Sequence, residues 1–343
     1  MSDANLEVGV VGAGAWGTAL ADQLARQGHR VQLWCYEAEV ASDIRDGRVN
    51  RTFLPGHTLH AAIAATTDLR ECVARKSMVL VAVPSHHVRR IAGDFRSDLG
   101  RGTLLVSASK GIETDSLMTM SEIYSEVLES NFHKHFAVLS GPSFALEVAR
   151  GEPTAVTIAA WDHRTAMRVQ RVVSSTYFRG YTTTDVVGAE IGGALKNVVA
   201  IAVGAMDGMG FGHNTRAGLM TRGLSEMSRI AVRMGANPLT ISGLSGLGDL
   251  ILTCTGELSR NRTFGVRIGR GEKVQSILSG QKQVVEGYLT ARSAHHLARQ
   301  LGVEAALIEH IYKYLHENQE GRPVSDFVHA VMSRELKPEF AMA

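Results

Sequence analysis

The stretch from Val8 to Glu37 constrains this chain more than any other. Val8-Gly9-Val10-Val11 runs directly into Gly12-Ala13-Gly14-Ala15-Trp16-Gly17. This is G-x-G-x-x-G placed after an apolar strand, opening a helix predicted over Ala15–Gln27 and followed by a second strand at Val31–Trp34. Gly12 permits the tight turn. Gly14 lets backbone approach a pyrophosphate, and Gly17 lets the helix pack close to the strand. The helix N-terminus adds free N–H groups and a positive dipole end. A lone glycine pattern is weak, but here strand, helix and second strand are all present. The segment therefore predicts a site for NAD or NADP. The second strand ends in Tyr36-Glu37, and Glu37 lies twenty residues after Gly17. An acidic side chain there binds a ribose 2′-hydroxyl and repels a 2′-phosphate, which favours NAD. Glu37 could instead simply begin a solvated helix over residues 37–45.

With 343 residues the chain is long enough for two domains. Its first half alternates helix-like segments, such as Ser116–Glu129, with apolar runs. Strands are predicted at Val8–Val11, Val31–Trp34, Met78–Val83, Thr103–Ser107, Phe136–Leu139 and Thr154–Ala159. Continuous Val, Leu and Ile runs suit strands covered on both faces, so a largely parallel, doubly wound α/β sheet is expected. From about Asp185 the period changes to 3.6. Met220, Leu224, Met227, Ala231 and Met234 fall on one helical face, with Gly235 where a C-cap belongs. Residues 291–318 and 323–334 read similarly. The expected division is a Rossmann-like domain at 1–187 and an all-helical domain at 188–343 that binds substrate and dimerises. The last nine residues, Glu335–Ala343, read as loose.

Bulk properties exclude several classes. Net charge is +2 with no basic stripe, so no nucleic-acid partner is expected. Cys35, Cys72 and Cys254 are odd in number and far apart, and no C-x-x-C occurs, which fits a reducing compartment. The N-terminus does not read as a signal peptide, and no apolar run reaches membrane-spanning length. A cytoplasmic chain without an integral membrane segment is expected. Fourteen histidines include no metal-ligand spacing beside a carboxylate, so no metal is expected.

Candidate chemistry sits in five segments. Lys110, in Ser109-Lys110-Gly111-Ile112-Glu113, follows a strand and could reach a substrate oxygen; a surface lysine is the plainer reading. Ser140-Gly141-Pro142-Ser143-Phe144-Ala145 also follows a strand, and is either a ligand loop or a turn. In Glu190-Ile191-Gly192-Gly193-Ala194-Leu195-Lys196-Asn197, with Asp185 as N-cap, Lys196 lies mid-helix beside small apolar neighbours at i±3 and i±4. Two glycines there cost roughly 1 kcal/mol each, so something must come close to the helix. Burial would lower the Lys196 pKa and make it a usable acid and base; a snorkelling lysine is the alternative. Asp249 could hydrogen-bond such a lysine or serve as an N-cap. Ser259-Arg260-Asn261-Arg262 suits a phosphate, although alone it is a common surface sequence.

Together these segments resemble the NAD(P)-dependent glycerol-3-phosphate dehydrogenase family. The matching stretches are GAGAWGTALA (12–21), FLPG (53–56), VAVPS (81–85), SKGIE (109–113), LSGPSFA (139–145), EIGGALKNVVAIA (190–202), GLSGLGDLILTC (243–254), SRNR (259–262) and VVEG (284–287). The resemblance implies reversible hydride transfer between NAD(P)H and dihydroxyacetone phosphate, giving sn-glycerol 3-phosphate for glycerophospholipid synthesis, in a homodimer joined through the helical domain. It implies that Lys196 is the acid/base and that Lys110 contacts cofactor and substrate. Gly141, Ser143, Asp249, Ser259, Arg260 and Asn261 would complete the substrate site. Gly12, Gly14, Ala15, Trp16, Gly17, Tyr36, Glu37, Ala145, Arg260, Val284 and Glu286 would meet the cofactor. Two departures stand out. Ala15 replaces the serine of many bacterial members, which removes a hydroxyl contact, and Tyr36-Glu37 replaces their Arg or His, which tilts the expected cofactor, NAD or NADP, toward NAD. Two other classes are open on the residues alone: a dehydrogenase of another small hydroxy acid, and a nicotinamide-sensing scaffold.

Overall fold

The computed structural model describes residues 5–128, 132–280, 284–317 and 323–333. The segment Glu335–Ala343, read as loose, lies outside them. Eight strands form one sheet: β1 (Glu7–Val11), β2 (Arg30–Trp34), β5 (Ile63–Thr66), β6 (Met78–Val81), β7 (Leu104–Ser107), β8 (Phe136–Ser140), β9 (Thr154–Ala159) and β10 (Phe178–Thr183). Their order is β10-β9-β8-β7-β6-β1-β2-β5. Two further strands, β3 (Val49–Asn50) and β4 (Leu54–Thr58), make a separate antiparallel hairpin. In the large sheet every pairing is parallel except β8 with β9. Chain order reverses between β1–β2 on one side and β6 on the other, which opens a crevice at the carboxyl ends of the strands.

The six predicted strands are all present. β5 and β10 escape periodicity for plain reasons. Each lies at one end of the strand order. β5 is the short, alanine-rich Ile63-Ala64-Ala65-Thr66, and β10 begins with buried and exposed residues alternating. The helix expected over Ser116–Glu129 starts later, at Met120. Leu117 takes a left-handed φ of 60°, and Thr119 with Glu122 forms a capping box that fixes the start.

The last strand of the sheet ends at Thr183, and from Val186 onward the described chain is helical. At the centre of this half runs the helix Val186–Gly208, capped by the Asp185 carboxylate, which accepts from Gly188 N at 2.9 Å. It is long and apolar enough to cross a membrane, yet 94% of its most apolar window is buried within the protein, as in a core helix. The helix His213–Arg233 presents the expected Met227 and Ala231 face to this core, and Gly235 follows at φ 90°. Glu190, buried near the start of the central helix, accepts from Ser121 N (2.7 Å) and Ser121 Oγ (2.6 Å); burial pushes its pKa up to about 7. That contact ties the helical half to the helix Met120–Val127 of the sheet domain.

The helix Arg260–Gly269 lies against the central helix with almost no side chains between them. A methyl group on Gly265 would stand 2.1 Å from Ile201 O, and one on Gly204 would stand 2.1 Å from Arg262 O. Gly208 and Gly269 meet the opposite backbone just as closely. Gly265→Ala is therefore expected to push the helices apart. Overpacking of this kind costs roughly 1–3 kcal/mol, to be read in urea unfolding. The apparent KM for the substrate should rise more than that for the cofactor, because Arg260 and Asn261 move with the helix.

Candidate active site

A cleft of about 680 Å³ opens where the strands end, between the sheet and the helical half. Its floor on one side is the glycine turn. Gly12 has φ 110°, and an added methyl there would strike Ala82 O at 2.8 Å. A methyl on Gly17 would stand 1.9 Å from Gly12 O, so only glycine lets the helix Ala15–Arg26 sit this close. A methyl on Gly14 would meet nothing within 4 Å, so that side of its backbone faces open space. Those three environments match a turn that cradles a pyrophosphate on a helix N-terminus. Tyr36 and Glu37 line the same cleft at the end of β2. Glu37 also begins the helix Ala38–Gly47, but its side chain makes no capping bond there.

The chemical end holds two lysines on one carboxylate. Lys196 Nζ donates to Asp249 Oδ1 at 2.5 Å and to Thr253 Oγ1 at 2.8 Å. Lys110 Nζ donates to Asp249 Oδ2 at 2.6 Å and to Gly141 O at 3.2 Å. Lys196 is 7% exposed and Asp249 1%. Desolvation lowers the Lys196 pKa to about 8, with Lys110 adding to the shift and Asp249 opposing it. Lys196 therefore does not snorkel. Asp249 is no N-cap either: it sits in the first turn of the helix Asp249–Thr255, with its carboxylate turned inward. The two costly glycines are explained by what approaches them. A methyl on Gly192 would meet Ser245 O at 2.6 Å; one on Gly193 would meet Ser140 Oγ at 2.7 Å and the Lys110 stem at 3.5 Å. The bare Gly193 leaves room for the Lys110 stem to reach the group around Lys196, and the bare Gly192 lets the Ser245–Gly246 backbone close on the helix.

At the far side the helix Arg260–Gly269 points its N-terminus into the cleft, with Ser259 as its cap. Asn261 is committed to protein partners: Nδ2 donates to Asn197 Oδ1 at 2.9 Å, and Oδ1 accepts from Gly287 N at 2.9 Å. Arg260 lines the cleft and reaches Val284 O at 3.4 Å. Arg262 turns away and pairs with Asp207. Glu286 accepts from Ser85 Oγ at 3.0 Å, and burial raises its pKa to about 7.

Most of the expected residues thus share one cleft, including Ala15, Trp16, Ser143 and Ala145. Three do not line it. Gly17 packs the helix, Gly141 supplies a carbonyl to Lys110, and Asp249 lies behind both lysines. Sequence reading assigned no role to Thr253, Asn197 or Ser85. Thr253 had a usable signal, since it lies one turn after Asp249 on the same helix face.

Family models match both halves. The NAD-dependent glycerol-3-phosphate dehydrogenase N-terminus matches residues 7–166, and the C-terminus of the same family matches 185–338. The chain belongs to the NAD-dependent glycerol-3-phosphate dehydrogenase family. A glycerol-3-phosphate dehydrogenase [NAD(P)+] from Geobacter sp. (strain M21) is 51% identical over 333 residues, covering 97% of this chain and 98% of the relative. One from Citrifermentans bemidjiense is 52% identical over the same shares. The crystal structure of glycerol-3-phosphate dehydrogenase from Coxiella burnetii superposes with a TM-score of 0.90 at 33% identity, over 96% of this chain and 99% of that one. In this family member, the paired lysines stand where the two matched regions meet.

Proposed function

We propose that this chain catalyses reversible reduction of dihydroxyacetone phosphate to sn-glycerol 3-phosphate with NAD(P)H. The observation that carries the reading is the Asp249 carboxylate held between Lys110 and Lys196, two lysines that line one cleft with a dinucleotide turn and a helix N-terminus. Bound NAD(P)H supplies the hydride. The N-terminus of Arg260–Gly269 and the Arg260 guanidinium hold the substrate phosphate, and Asn261 fixes that helix start against Asn197 and Gly287. Remote phosphate binding orients the small three-carbon body. Lys196 Nζ gives its proton to the carbonyl oxygen as the carbon is reduced, and Lys110 stabilises the charge forming there. In the reverse direction the neutral Lys196 amine takes the hydroxyl proton. Asp249 keeps both ammonium groups aimed at one point. Gly12, Gly14, Trp16, Tyr36, Ala145, Val284 and Glu286 meet the cofactor, and Gly141 and Ser143 meet the substrate.

The same reading places a dinucleotide domain at 1–187 and a substrate domain at 188–343. It makes the chain a cytoplasmic homodimer joined through its helical half and serving glycerophospholipid synthesis, with no nucleic-acid partner. The direct test is loss of NADH absorbance with dihydroxyacetone phosphate. Turnover is expected; turnover only with a phosphate-free keto acid would remove the reading.

Cofactor choice rests on Glu37. A carboxylate at that place repels a 2′-phosphate, so kcat/KM is expected to favour NADH over NADPH. Glu37→Ser should shrink the preference by about tenfold, equal to about 1.4 kcal/mol. An unchanged ratio would show that Glu37 is only the start of its helix.

A further inference from the structure

One buried amide ties together two walls of the cofactor cleft. Asn50, in β3, is 1% exposed. Its Nδ2 donates to Ala13 O at 2.8 Å and to Thr18 Oγ1 at 2.9 Å. Thr18 Oγ1 in turn donates to Ala13 O at 3.1 Å. The Asn50 Oδ1 accepts from Phe53 N at 2.9 Å. Both amide protons and the amide oxygen are therefore in use.

Ala13 is the second residue of the glycine turn. Every peptide described is trans, so a carbonyl and the next N–H point in opposite directions. With the Ala13 carbonyl held by two donors, Asn50 Nδ2 and Thr18 Oγ1, the Gly14 N–H is turned away from them, and Gly14 itself lines the cleft. Gly14 is also the N-cap of the helix Ala15–Arg26 and has no side chain with which to cap it. The other end of Asn50 starts the turn that brings Phe53, Leu54 and Pro55 to the cleft. The hairpin has a second tie, in which buried Asp22 accepts from His60 N at 2.7 Å and pairs with His57 Nε2 at 2.9 Å. That tie holds the hairpin without touching the turn.

We propose that Asn50 is a positioning residue for the cofactor: by holding the Ala13 carbonyl, it aims the Gly14 N–H at the dinucleotide pyrophosphate. The inference rests on the cofactor reading of this cleft. It is tested with the full-length chain by NADH fluorescence titration and steady-state kinetics. Asn50→Ala is expected to raise the NADH Kd about tenfold. The kcat at saturating NADH and the KM for dihydroxyacetone phosphate should stay within about twofold. Asn50→Asp keeps the shape and the acceptor for Phe53 N but sets an oxygen against the Ala13 carbonyl. It should bind NADH no better than Asn50→Ala; if it restores binding, only packing matters and the inference fails. His57→Ala removes one of the two bonds of the hairpin's other tie, leaving His60 N on Asp22, and should leave the NADH Kd within about twofold, since the turn contact is intact. Should the Asn50 variants not fold, Thr18→Val decides, with about a threefold rise expected and no rise overturning the claim. Turnover by wild type with an unchanged Kd in Asn50→Ala overturns this inference alone. A wild-type chain that binds no NADH overturns the cofactor reading together with it.

Discussion

Lys196→Ala is expected to lower kcat for dihydroxyacetone phosphate reduction by about three orders of magnitude, with NADH binding left within about twofold. Two losses combine. The variant has no proton donor at the developing alkoxide, which alone is worth roughly 10²–10⁴. It also deletes one of two cations placed in a water-poor site, where charge stabilisation is strongest. Lys196 sits between Asp249 and Thr253 with a pKa lowered to about 8, so it can both give and take a proton near neutrality. Steady-state kcat at saturating substrates measures the effect. A variant that keeps most of its turnover would remove Lys196 from the chemistry.

The second large effect is expected at Asp249. Asp249→Asn leaves two ammonium groups facing each other without the carboxylate that both now touch. Breaking a buried pair in this way costs roughly 3–5 kcal/mol of stability. It also strips Lys196 of the main influence that holds its pKa up, so Lys196 should lose its proton at still lower pH. The kcat for reduction at pH 8 is expected to fall about a hundredfold. The loss should be much smaller in a Lys196→Ala background, because Asp249 acts through the lysines. Additive losses in that double-mutant cycle would mean that Asp249 touches the reaction by another route.

Much of this was legible in the chain, and the reasons are local. Gly12, Gly14 and Gly17 each answer a demand of one turn and one helix start, so their spacing reports their use. Lys196 was legible because Gly192 and Gly193 are unfavourable in a helix unless something must come close, and Ser245, Ser140 and the Lys110 stem do come close. What escaped was polar contact across long sequence separations. Asn50 acts on Ala13 and Asn197 acts on Asn261, and no periodicity records such pairs. The glycines of the Arg260–Gly269 helix were likewise opaque, since their meaning is the backbone of another helix. At β5 and β10, alanine and exposed polar residues broke the apolar runs by which the other strands were recognised.

The central claim is that Lys196 carries the proton in a reversible dehydrogenase reaction. The pH dependence of kcat/KM in both directions tests it most directly, because that ratio reports groups of the free enzyme. Reduction needs the ammonium form, so its kcat/KM should be level below about pH 8 and fall above it. Oxidation of sn-glycerol 3-phosphate needs the amine, so its kcat/KM should rise with pH and level off above the same point. Profiles that bend the same way in both directions, or not at all near pH 8, would contradict the account.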